Sequence, residues 1–323
     1  MASTPLPIIR RLKELGSTHS VAVRTRSYRA ALGVALFIVL LSLGFVFLYP
    51  VLYMISTSLM TPADLVAPDV LYIPTAIRLD NYRIAILGLS FLKAAGISAV
   101  IALLGAAGHL VSCSLVGYGF ARYKLKVQRV LFPLVIFTLI VPPQTYLVPL
   151  YIQFSRYGWI NSILPFVVPA FVAQGLKGAL FVIVFRQFFS QLPWELDDSA
   201  RIDGAGGFRI FTRIMLPLSR SAMLVVFLFS FVWHWNDHYL PGIFLRLEST
   251  TLAVRLKSFW IVVRGANAAI LEAASNYQQE LMQAHSEGVG MAASFLVIVV
   301  PLVVYIFLQR YFTESIERTG LVE

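Results

Sequence analysis

Six blocks of mostly apolar residues divide the chain: about Ala30–Ser56, Phe91–Val116, Val130–Tyr151, Ile163–Phe185, Ser221–Leu240 and Gly288–Leu308. A helix needs ~20 such residues to cross the hydrocarbon core of a bilayer. The pattern therefore predicts an all-α membrane protein with six transmembrane helices. The fifth block is the weakest, because its second half, Trp233-His-Trp-Asn-Asp-His238, turns polar. The first is expected to be retained rather than cleaved. Its basic leader is long, its apolar run exceeds the roughly 7–15 residues of a signal peptide, and no small-residue cleavage pattern follows closely. These blocks define a leader over 1–29, a membrane-spanning region over 30–312 and a tail over 313–323, with polar connections at 191–217 and 241–287.

Composition agrees: 58% of residues are apolar and 13% are charged, against about 25% charged in a soluble globule. The net charge of +10 raises nucleic acid as a partner, but its distribution argues against that. Lys and Arg gather in alternate segments: Arg10, Arg11, Lys13, Arg24, Arg26 and Arg29 in the leader, Arg122, Lys124, Lys126 and Arg129 after the second block, Arg186, Arg201, Arg209, Arg213 and Arg220 after the fourth, and Arg310 and Arg318 in the tail. The opposite connections hold Arg78, Arg83, Lys93, Arg156, Arg246, Arg255, Lys257 and Arg264. By the positive-inside rule both termini are expected in the cytoplasm. A single cysteine, Cys113 in an apolar stretch, excludes an internal disulfide and a Cys-based metal cluster.

The connection at 191–217 is the most informative segment. Pro193 suits a helix start, and Glu195, Asp197 and Asp198 follow where carboxylates meet the positive end of the helix dipole. Gly204, Gly206 and Gly207 then interrupt the helix or admit another backbone. A second short helix is expected from Phe208 to Met215, ending before Pro217 opens the fifth span. The spacing Asp198-Ser199-Ala200, three residues, Gly204, nine residues, Ile214, one residue, Leu216-Pro217 resembles the EAA loop of binding-protein-dependent ABC importer permeases. Two letters depart, Asp198 for Glu and Ser199 for Ala. Asn81-Tyr82, Gly117-Tyr-Gly-Phe-Ala-Arg122, Leu147-Val-Pro-Leu150, Trp235-Asn236-Asp237, Thr251-Leu-Ala-Val254 and Gln309-Arg-Tyr-Phe312 look like the maltose-type sugar permeases. The stretch 264–287 departs from the resemblance by being longer than in typical members.

The resemblance implies a type I ABC importer permease fold in the bacterial inner membrane. It implies transport of a sugar or oligosaccharide, acidic ones included, delivered by an extracytoplasmic solute-binding protein. It also implies a second permease and an ATPase dimer as partners. No Gly-x-x-x-x-Gly-Lys-Ser/Thr phosphate loop occurs in the chain, so ATP-Mg is expected in the ATPase subunits and no cofactor here. In the family the EAA helix docks on the ATPase as a lever. Leu196, Asp197, Asp198, Ser199, Ala200, Arg201, Asp203, Gly204, Ile214 and Pro217 are thereby the coupling candidates, with Asp197, Asp198 and Arg201 expected to line the polar contact.

Other residues leave alternatives open. Pro133, Pro142, Pro143 and Pro149 in the third block, around Gln144 and Thr145, fit either a kinked structural helix or a broken one beside the translocation path. Lys177, beside Gln174 and Gly175, interrupts the fourth block. It could pair with Asp237, snorkel, or face a cavity and meet an anionic solute such as a uronate oligosaccharide. Trp235, Asn236 and Asp237 complete the candidate path. His234 and His238 are four apart but lack a third metal ligand, and His109 reads as a packed helix-interface residue. Arg255, Lys257 and Trp260 in the 241–287 connection are candidates for docking the binding protein, or simply cap the chain. A stand-alone secondary transporter would leave the EAA spacing unexplained. A membrane enzyme would need a nucleophile or paired acids, which the chain does not offer.

Overall fold

Helices dominate the computed structural model, which describes residues 7–123, 126–271 and 276–320, with side chains at 28–29, 32–123, 126–261 and 285–311. No strand occurs among the described residues. In chain order the helices are α1 (Pro7–Leu59), α2 (Pro62–Val66), α3 (Asp80–Gly88), α4 (Phe91–Arg122), α5 (Gln128–Ile140), α6 (Pro143–Arg156) and α7 (Leu164–Phe171). They continue as α8 (Gly178–Gln191), α9 (Glu195–Ile202), α10 (Gly207–Leu218), α11 (Arg220–Asn236), α12 (Tyr239–Phe244), α13 (Leu252–Leu271) and α14 (Asn276–Gly320). The chain forms two units divided between Ser56 and Thr57, the first of them the body of α1.

Three of the six apolar blocks are continuous helices long enough to span a membrane: Leu32–Leu59 in α1, α4, and His285–Tyr311 in α14. The third block is broken, not merely kinked, since α5 and α6 meet at 99°. The break sits at Pro142-Pro143. Val141, held extended at ψ 120°, cannot continue a helix before proline, and Pro143 opens α6. Pro133 and Pro149 lie inside their helices without ending them.

The fourth block is not one span either. Helix α7 stops at Phe171, residues 172–177 are unwound, and α8 runs on to Gln191, past the expected end at Phe185. Within the break Ala173, Gly175 and Lys177 adopt φ of 58°, 86° and 63°. Unwound backbone at membrane depth must find its hydrogen bonds in protein, and α4 supplies some of them at the break and at the helix ends that flank it. The Ser112 hydroxyl donates to the Ala170 carbonyl at 2.6 Å, His109 Nε2–H to the Gln174 carbonyl at 3.0 Å, and the Cys113 thiol to the Gly178 carbonyl at 3.6 Å. Because Nε2 must donate, Nδ1 accepts, and the Ser230 hydroxyl of α11 donates to it at 2.9 Å. His109 thus ties three segments together. Glycines of α4 permit the approach. A Cβ at Gly117 would stand 2.6 Å from Phe185 Cβ and 2.9 Å from Arg186 N.

Pro217 does not open the fifth span. It lies within α10, whose middle, Phe211–Met215, is a π-helical turn. The chain turns by 78° at Ser219 and α11 starts at Arg220. The 241–287 connection is largely helical, containing α12, α13 and the start of α14, while residues 272–275 lie outside the described ones. Helix α14 continues through the expected tail to Gly320. Side chains of Arg10, Arg11, Lys13, Arg24, Arg26, Lys124, Arg264 and Arg318 lie outside the described residues.

Several of the short motifs act as staples. The Asn81 amide donates to the Ser58 and Met60 carbonyls at 2.9 and 3.1 Å. Trp235 Nε1–H donates to the Val297 carbonyl at 3.0 Å, and Ser98 accepts the Leu252 N–H at 2.8 Å. Trp235, expected beside a translocation path, is therefore a core residue, 1% exposed.

Gly117→Val drives two methyl groups into Phe185 and the α8 backbone. It is expected to destabilise the fold by at least about 1–3 kcal/mol, read as a lowered melting temperature of the detergent-solubilised protein.

Candidate functional site

Two places hold polar chemistry. The first is α9. Leu192 and Pro193 turn the chain out of α8, and Asp197 N and Asp198 N both close on the Trp194 carbonyl, at 2.9 and 3.2 Å. At the other end Ala205 N bonds Ala200 O at 2.9 Å and Gly204 N bonds Arg201 O at 3.0 Å, the two bonds of a Schellman ending. Gly204 at φ 77° takes its left-handed position. A Cβ there would meet nothing within 4 Å, so within this chain conformation, not crowding, calls for glycine.

The two adjacent aspartates divide. Asp198 is exposed together with Ser199, Arg201, Ile202, Asp203 and Gly204. Asp197, expected on the same polar face, turns inward instead and is 1% exposed. Its Oδ2 lies 3.4 Å from Arg122 Nη1, both side chains being almost fully buried, and Tyr118 donates to its Oδ1 at 3.2 Å. Arg122 Nη2 also donates to the Leu192 carbonyl at 2.8 Å, and its guanidinium stacks 4.7 Å from the Trp194 ring. Arg122 is therefore the residue that fastens α9 to the end of α4, not a free loop cation. Leu196 is half-buried and Ala200 buried, so both pack inward. Ile214 is half-buried and Pro217 exposed, both on α10.

The second place is a cleft of about 600 Å³ bordered by α5, α6, the break at 172–177, and the end of α11. It brings together Gln174, Lys177 and Asp237 with Gln153, Tyr146 and Trp159. Lys177 and Asp237 do not form an ion pair. Asp237 Oδ1 instead accepts the N–H groups of Tyr239 and Leu240 at 2.8 and 3.3 Å, and Lys177 Nζ stands 6.0 Å from the Trp233 ring centre. Gln144 and Thr145 are exposed and line no wall of the cleft, Thr145 capping its own turn at the Pro142 carbonyl. Asn236 is exposed and also outside it. His234 is buried and donates from Nδ1 to the Ser230 carbonyl at 2.8 Å. No group of three metal ligands occurs among the described residues.

Residues 114–318 match the model of the family described as binding-protein-dependent transport system inner membrane component. The chain belongs to that family. An arabinooligosaccharide transport system permease of Halalkalibacterium halodurans is 30% identical over 87% of this chain and 95% of its own. A polygalacturonan/rhamnogalacturonan transport system permease of Bacillus subtilis is 26% identical, covering 85% and 93%. A solved bacterial ABC transporter, involved in import of the acidic polysaccharide alginate, has a chain that superposes with a TM-score of 0.68 at 20% identity, over 87% of this chain and 96% of that one. The permease is thus a membrane-spanning transport component and not an enzyme, with the type I importer fold.

Sequence spacing found α9 and its boundaries but missed what holds it. Arg122 and Tyr118 lie more than seventy positions before Asp197, and only the fold brings them together. Of the docking candidates, Lys257 is exposed and Arg255 half-buried. Trp260 does not stand free on a docking surface, because its ring packs over Gly290 of α14.

Asp197→Ala leaves the Arg122 charge buried opposite nothing. A loss of about 3–5 kcal/mol is expected, against within ~0.5 kcal/mol for Asp198→Ala on the exposed face, both read from thermal unfolding in detergent.

Proposed function

We propose that this permease is one transmembrane subunit of an ATP-driven importer and forms, with a second permease, the path for a sugar or oligosaccharide delivered by a solute-binding protein. The observation that carries the coupling role is the division of α9. Its inner side is clamped to α4 by Asp197 and Arg122, leaving Asp198, Ser199, Arg201 and Ile202, the last 87% exposed, as a free face. That face is the docking surface for the ATPase, which binds the ATP-Mg that this chain has no phosphate loop to hold. The relatives named for arabinooligosaccharide and polygalacturonan transport support a carbohydrate solute. The charge distribution supports placing both termini and α9 in the cytoplasm, and α13, with Arg255 and Lys257, on the binding-protein side.

Cys113 is the single cysteine of the chain and is buried, so a cysteine-free background needs one substitution. In that background Ser199→Cys is expected to cross-link to the ATPase subunit within the assembled transporter, and a buried control, Ala200→Cys, is not. Gly204→Asp puts a Cβ at φ 77°, at a cost of up to about 1–2 kcal/mol, and adds a carboxylate beside Asp203 on the docking face. It is expected to abolish solute uptake in proteoliposomes while ATP hydrolysis by the complex persists. Undiminished uptake would refute the coupling role, and a chain that purifies and transports without any ATPase would refute the importer reading.

A further inference from the structure

We propose that the cleft beside the broken fourth span takes a carboxylated oligosaccharide, with Lys177 meeting a sugar carboxylate. This rests on the carbohydrate-import reading and adds the charge class of the solute. The walls already suit sugar rings: Tyr146, Tyr157 and Trp159 offer apolar faces, and Gln153 and Gln174 offer amides. None of these discriminates acidic from neutral glycans. Lys177 does. An ammonium at membrane depth is costly to keep and marks a functional site, yet Lys177 has no ion-pair partner among the described residues.

The other formal charge lining the cleft, Asp237, is turned to the N–H groups of Tyr239 and Leu240 through Oδ1 and makes no ion pair with the lysine, so the ammonium stays open to a solute carboxylate. Gly178 and Ala179 at the amino end of α8 line the same cleft and add the positive end of its dipole. The backbone around Lys177 is over-determined. Gln174 is held by His109 and Gly178 by Cys113, while Lys177 itself sits at φ 63°, a conformation that favours glycine. Residues kept in such conformations by surrounding bonds cluster at ligand sites. Here the result is a cation presented to an aromatic-walled cleft from a rigid support.

The test uses the complete transporter, with its second permease, ATPase and binding protein, in proteoliposomes. The probes are trimers of galacturonate, glucuronate and mannuronate, each paired with its methyl ester, which removes the charge and keeps the ring and linkage. The binding protein is the same in every arm. Wild type is expected to take up at least one acidic trimer faster than its ester. Lys177→Gln is expected to lower uptake of that trimer about tenfold or more, as loss of a hydrogen bond to a charged group does, and to lower uptake of its methyl ester less, so that the acid-over-ester ratio falls. Lys177→Arg should restore most of it.

Equal effects of Lys177→Gln on acidic and neutral solutes would overturn the proposal and assign the lysine to assembly or lipid contact. So would no effect on the acidic trimer, or uptake by wild type of neutral glycans alone. If Lys177→Gln fails to assemble, the Lys177→Arg protein and the acid-over-ester preference of wild type decide. Absence of ATP-dependent uptake of any carbohydrate would instead overturn the import reading beneath it.

Discussion

A chain that interrupts its own helix inside a bilayer frees carbonyls that lipid cannot satisfy. Much of the described structure follows from where those carbonyls go. At the break in the fourth apolar block they go to α4, through Ser112 to Ala170 and His109 to Gln174. The side chains at 109, 112 and 113 fall within about one helical turn and share a face, and Gly108 and Gly117 flank them on the approach to α7 and α8. Near its start α4 receives the Leu252 N–H on Ser98, and at its end Arg122 holds Asp197. One helix therefore fixes the break, α9 and the first turn of α13.

The cost of that arrangement is paid in polar and charged groups buried on α4. The Arg122–Asp197 pair is not tightly hydrogen-bonded across its 3.4 Å gap, and Arg122 Nε and Nη1 and Asp197 Oδ2 have no hydrogen-bond partner. Such a pair contributes little net stability over an apolar substitute, but losing one member strands the other. Its effect is specificity of placement. Only one rotation of α9 puts Asp197 under Arg122 and Tyr118, and that rotation turns Asp198 and Arg201 outward.

Hydropathy located the six apolar blocks and the glycines located the Gly204 ending of α9, because lipid exposure and left-handed turns act through local residue types. It misread the fourth block as one span because it scores side chains, and the break there is a backbone event supported by partners 58 to 65 positions away. The third block was open to either outcome, since four prolines offer four places to break and tertiary contact chose the Pro142-Pro143 pair. Adjacent Asp197 and Asp198 could not be told apart, because helix direction relative to α4 decides which one is buried. Pro217 reads as a boundary, yet it sits inside α10 just after the π-helical turn at Phe211–Met215, and Ser219 carries the bend instead. The connection at 241–287 looked like a loop because its polarity is mixed, which suits surface helices equally well.

The two sites are joined by α8. It starts at Gly178, next to Lys177 in the cleft, and ends two residues before Pro193 leads into α9, a rise of about 21 Å for fourteen residues at 1.5 Å each. A displacement of α9 can reach the cleft along this helix only if α8 moves as a body. The packing makes that the easier course: Gly117 leaves no slack between α4 and α8, and Arg122 ties α9 to α4 through both its Asp197 partner and the Leu192 carbonyl. Sliding α8 against α4 would act on the Cys113 bond to Gly178, on the His109 bond to Gln174 just before α8, and on the Arg122 bond to Leu192 just after it. Moving α4, α7, α8 and α9 together keeps these contacts and loads instead the His109 bond to Ser230 of α11 and the bend at Ser219, where the chain already turns by 78°.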